Sequence, residues 1–164
     1  MKEINTLVEN FLALKKIAIV GVSDQRETGC NLSYKKFKDT GYQVYAVNPR
    51  IDSFDGDSCY PNLRALPEKP DGVFILANPK VTELIVDECV EMGVEYVWMH
   101  CMMGTKPGLN KSMTSVSEDA VEKCRRNGIQ VIPGSCPNQF LKPDPAHGMM
   151  KVLWSFLGFN SIKD

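Results

Sequence analysis

No C-x-x-C pair occurs in this chain, and its histidines and cysteines never fall at a paired metal-ligand spacing. Two histidines, His100 and His147, and six irregularly spaced cysteines point neither to a metal site nor to a disulfide framework. Cysteines within apolar runs behave instead as free core thiols, which suits a reducing cytoplasm. No apolar run approaches membrane-spanning length, and the first dozen residues lack the apolar stretch of a secretory leader. Charge is balanced, with 19 Lys plus Arg against 20 Asp plus Glu, so no basic face advertises nucleic acid. Repeats and low-complexity linkers are missing too. One domain over residues 1–164 remains, long enough for a real core.

What the chain does have is alternation. Lys16–Val20 is a continuous apolar run that ends at Gly21 and hands over, through Val22-Ser23-Asp24-Gln25-Arg26-Glu27-Thr28, to a helix carrying Leu32 and Phe37 on one face. Further strands are predicted at Gln43–Val47, Asp71–Leu76, Glu95–Met99 and Ile129–Ile132. Helices fall between them: one from Lys80, capped by Asn78 or Thr82 and stopped by Gly93, and one through Val116–Cys124. An N-terminal helix within 1–14 shows the stripe Ile4, Leu7, Val8, Phe11, Leu12, with Asn5 or Thr6 near its cap. A last helix, 144–158, carries Met149, Met150, Val152, Leu153, Phe156 and Leu157; this face is read as core, with a dimer face as the alternative. Ile51–Leu66 reads as loop with a turn at Asp55-Gly56-Asp57, and 101–115 as a longer loop with Gly104, Pro107 and Gly108. The fold class is α/β: a doubly wound, five-stranded parallel sheet with helices on both faces.

In such sheets ligands sit beyond the carboxyl ends of the strands, where the strand order reverses. The first exit departs from the dinucleotide fingerprint, since Ser23 and Arg26 stand where glycines are wanted. Its hydroxyls, its arginine and the following helix N-terminus nevertheless suit phosphate oxygens; a plain strand–loop–helix turn is the alternative. After the second strand an NAD site wants an acid. Asn48, Pro49 and Arg50 stand there instead, which fits a phosphorylated ribose: NADP at the 2′ position or coenzyme A at the 3′ position.

Gly21-Val22-Ser23, Val47-Asn48-Pro49, Cys59-Tyr60-Pro61-Asn62-Leu63, Val97-Trp98-Met99-His100 and Ser135-Cys136-Pro137 occur in this order. The set resembles the small stand-alone CoA-binding domain proteins, and through them the Rossmann-like CoA-binding domain of the succinyl-CoA synthetase α subunit. It runs from about Leu14 to the last helix. The resemblance implies a domain that holds coenzyme A, or an acyl-CoA, by its nucleotide end. Gly21, Val22, Ser23 and Arg26 would hold phosphate, and Asn48, Pro49 and Arg50 would border the ribose and 3′-phosphate. Ala77, Asn78, Pro79 and Val81 would line the adenine side, with His100, Cys136 and Pro137 as the far wall. The second loop glycine of the synthetase domain is missing here, and Met102–Lys106 could reach over the pantetheine. The domain that carries the synthetase's phosphohistidine is absent from these residues, which argues against ligase activity.

A thiol mechanism would need Cys136 beside His100, because adjacent His100 and Cys101 point to opposite faces. The plainer reading packs Cys136 as a small hydrophobe. The expectation is therefore non-catalytic binding of coenzyme A or an acyl-CoA in a sensing, carrier or regulatory role. An NADP-binding oxidoreductase or nucleotide-responsive redox regulator is the alternative. A homo-oligomer or protein partner is left open; nucleic acid, membrane and metal are not expected.

Overall fold

The computed structural model describes residues 2–106, 108, 112 and 114–162. Its main sheet has seven strands in the order β4-β5-β3-β2-β6-β7-β8. These are β2 (Lys16–Val20), β3 (Gln43–Val47), β4 (Ser53–Phe54), β5 (Asp57–Tyr60), β6 (Gly72–Ile75), β7 (Tyr96–Met99) and β8 (Gln130–Pro133). All neighbours pair parallel except β4 with β5. From β2 the chain winds outward through β3 to β5, then returns to β6 and winds the other way to β8. The order therefore reverses between β2 and β6, which is the switch point of a doubly wound sheet. A small second sheet pairs β1 (Lys2–Glu3) with β9 (Ser161–Ile162).

Alternation along the strands makes two cores. Ala18 and Val20 join Val73, Ile75, Val97 and Met99 on one face, under α3 (Pro79–Met92) and α4 (Glu118–Arg126). Ile17, Ile19, Phe74 and Trp98 point to the other face, where α1 (Asn5–Leu12) contributes Val8 and Phe11 and α2 (Gly29–Asp39) contributes Cys30, Tyr34 and Phe37. Phe11 and Phe74 both meet Trp98 edge-on, with centroids 5.3 and 6.4 Å away. The Trp98 indole N–H donates to the Gly134 carbonyl at 2.9 Å, so the largest core side chain also ties down the β8 exit. All six cysteines are free and buried.

The sheet exceeds the expected five strands by a hairpin inside the supposed loop. Asp55 and Gly56 both take positive φ, the geometry of a two-residue primed turn. That turn lets β5 reach β3 through Ala46–Cys59 and Val47–Tyr60. Asp57-Ser58-Cys59-Tyr60 has neither an apolar run nor clean alternation, so only the pairing makes it a strand. The helix caps are Thr28, Asn78, Ser117 and Asp144, each accepting an N–H from its first turn; of these only Asn78 was expected as a cap. Helix α1 instead follows Ile4, without a side-chain cap. The α2 core face is Cys30, Tyr34 and Phe37, while Leu32 is turned outward. The largest correction is α5 (Pro145–Phe156), which buries no residue and so is not core. Pro107, named in the long loop, lies outside the described residues.

Trp98→Ala is expected to cost about 3–5 kcal/mol as a core truncation, and Trp98→Phe about 1–3 kcal/mol by orphaning the Gly134 carbonyl. Urea denaturation midpoints at constant slope measure both. Equal, small losses would show that the indole anchors nothing.

Candidate functional site

Gly21 ends β2 with φ 109°. A Cβ there would stand 2.0 Å from the Leu76 carbonyl oxygen, so no side chain fits where the exits of β2 and β6 cross. Beyond Gly21 the loop is held by a buried side chain, Asn31. Its Oδ1 accepts the Ser23 N–H at 2.9 Å, and its Nδ2 donates to the carbonyls of Ser23 (2.8 Å) and Arg26 (3.1 Å). Thr28 caps α2 through the Asn31 N–H and donates its own hydroxyl to Asn31 Oδ1. The Thr28 hydroxyl expected to face phosphate is thus committed to the loop itself. Ser23 Oγ accepts the Gln25 N–H, which leaves its O–H proton available to a ligand.

Asn48 is likewise a brace. Its Nδ2 donates to the Val22 carbonyl at 2.6 Å and its Oδ1 accepts the Arg50 N–H at 2.8 Å. The β3 exit is thereby clamped to the phosphate-loop candidate, with Arg50 positioned on the same rim. Arg26 and Arg50 are exposed, and neither joins an ion pair among the described residues. Helix α2 opens without an acid in its first turn and ends with Lys36 and Lys38. Its positive N-terminal end is therefore not offset by a carboxylate from its own first turn. Asn78 caps α3 through the Lys80 N–H, and the Ala77 N–H donates to Ser115 Oγ.

These elements frame one cavity of about 980 Å³, at the upper end of ordinary ligand pockets. Of the predicted residues it gathers Gly21, Val22, Ser23, Arg26, Asn48, Arg50, Ala77, Asn78, Pro79, His100 and Cys136. Pro49, Val81 and Pro137 do not line it: Val81 is exposed on α3, and Pro137 is buried in the 3-10 turn after Cys136. Only Met102 of the Met102–Lys106 segment reaches it. The Gly104 carbonyl instead accepts the Ser135 N–H, and Thr105 binds the Phe159 carbonyl. Leu32, Asn138, His147 and Met150 also line the cavity and were missed. An Asn placed early in a helix, where it is a poor helix former, was a usable signal for Asn31. Nothing local marked Met150, which arrives because α5 packs beside the Pro137–Gln139 turn. A second cavity of about 750 Å³ beside α4 contains none of the predicted phosphate, ribose, adenine-side or far-wall residues, but Thr105 and Lys106 of the 102–106 segment line it.

The far wall is electrically quiet. Burial, and secondarily the neighbouring His147, pulls His100 down to about 4. Burial pushes the Cys136 thiol up to about 11 and raises Cys101 as well. At neutral pH the wall therefore offers a neutral imidazole and a protonated thiol, and the imidazolium–thiolate pair of a thiol mechanism does not form. His147 hydrogen-bonds through Nδ1 to Asp144 at 2.6 Å, and Asp144 also accepts from Lys36 at 3.2 Å. No group of three potential metal ligands exists among the described residues.

The sequence of residues 15–139 matches the family model described as a CoA binding domain. The chain belongs to the CoA-binding domain family. It is 26% identical to ADP-forming acetate–CoA ligase I of Archaeoglobus fulgidus, over 79% of this chain but only 18% of that enzyme. It is also 26% identical to the uncharacterized protein YneT of Bacillus subtilis, over 74% of this chain and 82% of that protein. Among solved structures, a hypothetical protein of Pyrococcus horikoshii superposes with a TM-score of 0.71 at 26% identity, covering 84% of this chain and 91% of that one. The CoA-binding domain seen here thus resembles both small stand-alone proteins and one segment of much longer ligases.

Asn31→Ala would leave the Ser23 N–H and two carbonyls without their partner, at a cost of about 2–3 kcal/mol. Amide exchange should accelerate across residues 22–28 more than in β7, and uniform acceleration would deny Asn31 its local role. For His100, the folded pKa lies below the ordinary value near 6.5, so unfolded chains bind the extra proton. Its neutral form supports stability above pH 6.5, and this support is lost as pH falls toward 4. An NMR titration should find the His100 ring neutral at pH 6; a midpoint near 6.5 would contradict its burial.

Proposed function

We propose that this CoA-binding domain holds coenzyme A or an acyl-CoA by its adenosine 3′-phosphate pyrophosphate end, without catalysis of its own, in a sensing, carrier or regulatory role. The observation that carries this reading is the polar rim of the cavity. Ser23, Arg26, Arg50 and the α2 N-terminus converge there, beside Glu27, which pairs with Lys35, and no carboxylate replaces Asn48 to receive an unphosphorylated ribose. Pyrophosphate would lie over the loop from Gly21 to Arg26, and Arg50 would take the 3′-phosphate. Asn48 would border the ribose while bracing the Arg50 backbone. Family membership favours coenzyme A over NADP, and the neutral His100 and Cys136 supply no acid–base pair for hydride chemistry.

Thermal-shift titrations with CoA, dephospho-CoA, NADP and NAD test the proposal. A ligand bound only by the folded chain raises the melting temperature with concentration. CoA should give the largest shift and dephospho-CoA a smaller one. Arg50→Ala should weaken CoA about 10- to 100-fold, the loss of a charged hydrogen-bond pair, and leave dephospho-CoA unchanged. A shift with NADP alone would replace this reading by the oxidoreductase one.

A further inference from the structure

The cavity is not uniform along its length, and its far end opens onto an apolar surface that nucleotide binding leaves unexplained. At the β2 and β3 exits its wall is polar: Ser23, Arg26, Glu27, Asn48 and Arg50. At the other end, among the polar Thr114, Ser115, Asn138 and His147, three separate elements each bring an apolar side chain: Leu32 from α2, Met102 from the β7 exit and Met150 from α5. Leu32 and Met102 stand 37% and 40% exposed. The α5 helix carries this surface onward. One and two turns past Met150, on the same side at helical spacing, are Leu153 and Leu157, beside Trp154, whose indole N–H donates to the Met102 carbonyl at 2.9 Å. Around them Met149 and Val152 are 71% exposed and Phe156 86%. So large a set of exposed hydrophobes on one helix marks a binding surface, and Met150, which lines the cavity, joins that surface to it.

We propose that the ligand's thioester end carries a medium or long acyl chain, and that this chain lies along the Met150–Leu153–Leu157 strip of α5. The inference rests on the nucleotide reading above. Its reach is consistent. From the β2 exit to the β8 exit is three strand spacings, about 14 Å, and an extended pantetheine arm of about a dozen bonds covers about 15 Å. With phosphates at Ser23 and Arg26, the sulfur comes to the His100–Cys136 wall, where Met102 and Met150 begin the apolar path. The neutral state of that wall suits a thioester, which brings no charge. A ligand charged at one end and apolar at the other matches the polarity of the cavity; free coenzyme A would use only its first half.

Isothermal titration with CoA, acetyl-CoA and decanoyl-CoA, each below micellar concentration, tests this on the whole chain. A fully buried methylene contributes about fourfold in affinity, so eight added methylenes covered on one side should tighten binding by at least about tenfold. In the double variant Leu153→Gln with Leu157→Gln, whose side chains are solvent-facing, this gain should shrink to about twofold while CoA affinity holds. Equal affinity of CoA and decanoyl-CoA would overturn the acyl proposal and leave nucleotide binding intact. Absence of binding by all three would overturn the nucleotide reading and this one with it. A dimer by light scattering that decanoyl-CoA does not dissociate would give the α5 face to a second copy and overturn the acyl assignment.

Discussion

The close crossing of Gly21 and the Leu76 carbonyl is the constraint on which the site depends. At the switch point two strands leave the sheet toward opposite sides, and the first must turn at once if a cavity is to open between them. With φ 109° and no space for a Cβ, the chain turns at once, and the loop 21–28 leads into α2 at Gly29. The end of β2, the N-terminus of α2 and the exits of β3 and β6 therefore share one rim. Sheet pairing makes the rest rigid, since β2 is hydrogen-bonded on both sides by β3 and β6.

Around that crossing, polar side chains divide into those that hold the backbone and those left for a ligand. Asn31, Thr28, Asn48, Asn78 and Ser115 spend their hydrogen bonds on neighbouring main chain. A buried amide with its partners in place is stable, whereas an unpaired one is costly, so these residues fix loop shape. The arginines are different: Arg26 and Arg50 extend from braced backbone, and their guanidinium groups join no ion pair among the described residues. Such a site is organised before anything binds, which lowers the ordering cost of binding.

The far wall works by subtraction of charge. Burial keeps His100 and Cys136 neutral, and helix α5 adds Met150 and His147 to the lining. The helix is attached through Asp144, which accepts from Lys36, and through Trp154 on the Met102 carbonyl, not through a buried apolar face. Its hydrophobes Met149, Val152, Leu153 and Phe156 consequently stay exposed, and Met150 lines the cavity.

How much of this was legible in the sequence depended on the range of the interaction involved. Lys16–Val20 and Gln43–Val47 could be bounded from their apolar runs, because a strand buried on both faces must be apolar at nearly every position. Asn78 and Gly93 marked helix ends because capping is settled within a few residues. Gathering Arg26, Arg50 and His100 on one edge followed from the α/β alternation alone, since parallel strands place all their exits together. Other features needed distant partners. Asp57–Tyr60 became a strand only by pairing with β3, and Asn48 became a brace only because Val22 lies beside it. Leu32 and α5 misled because amphipathic spacing says that a face is apolar without saying what covers it. The sequence by itself determined the order of elements and which exits would meet, through local propensity and burial period. Tertiary structure alone decided which polar groups remain free and which apolar face stays open, because both depend on neighbours far away along the chain.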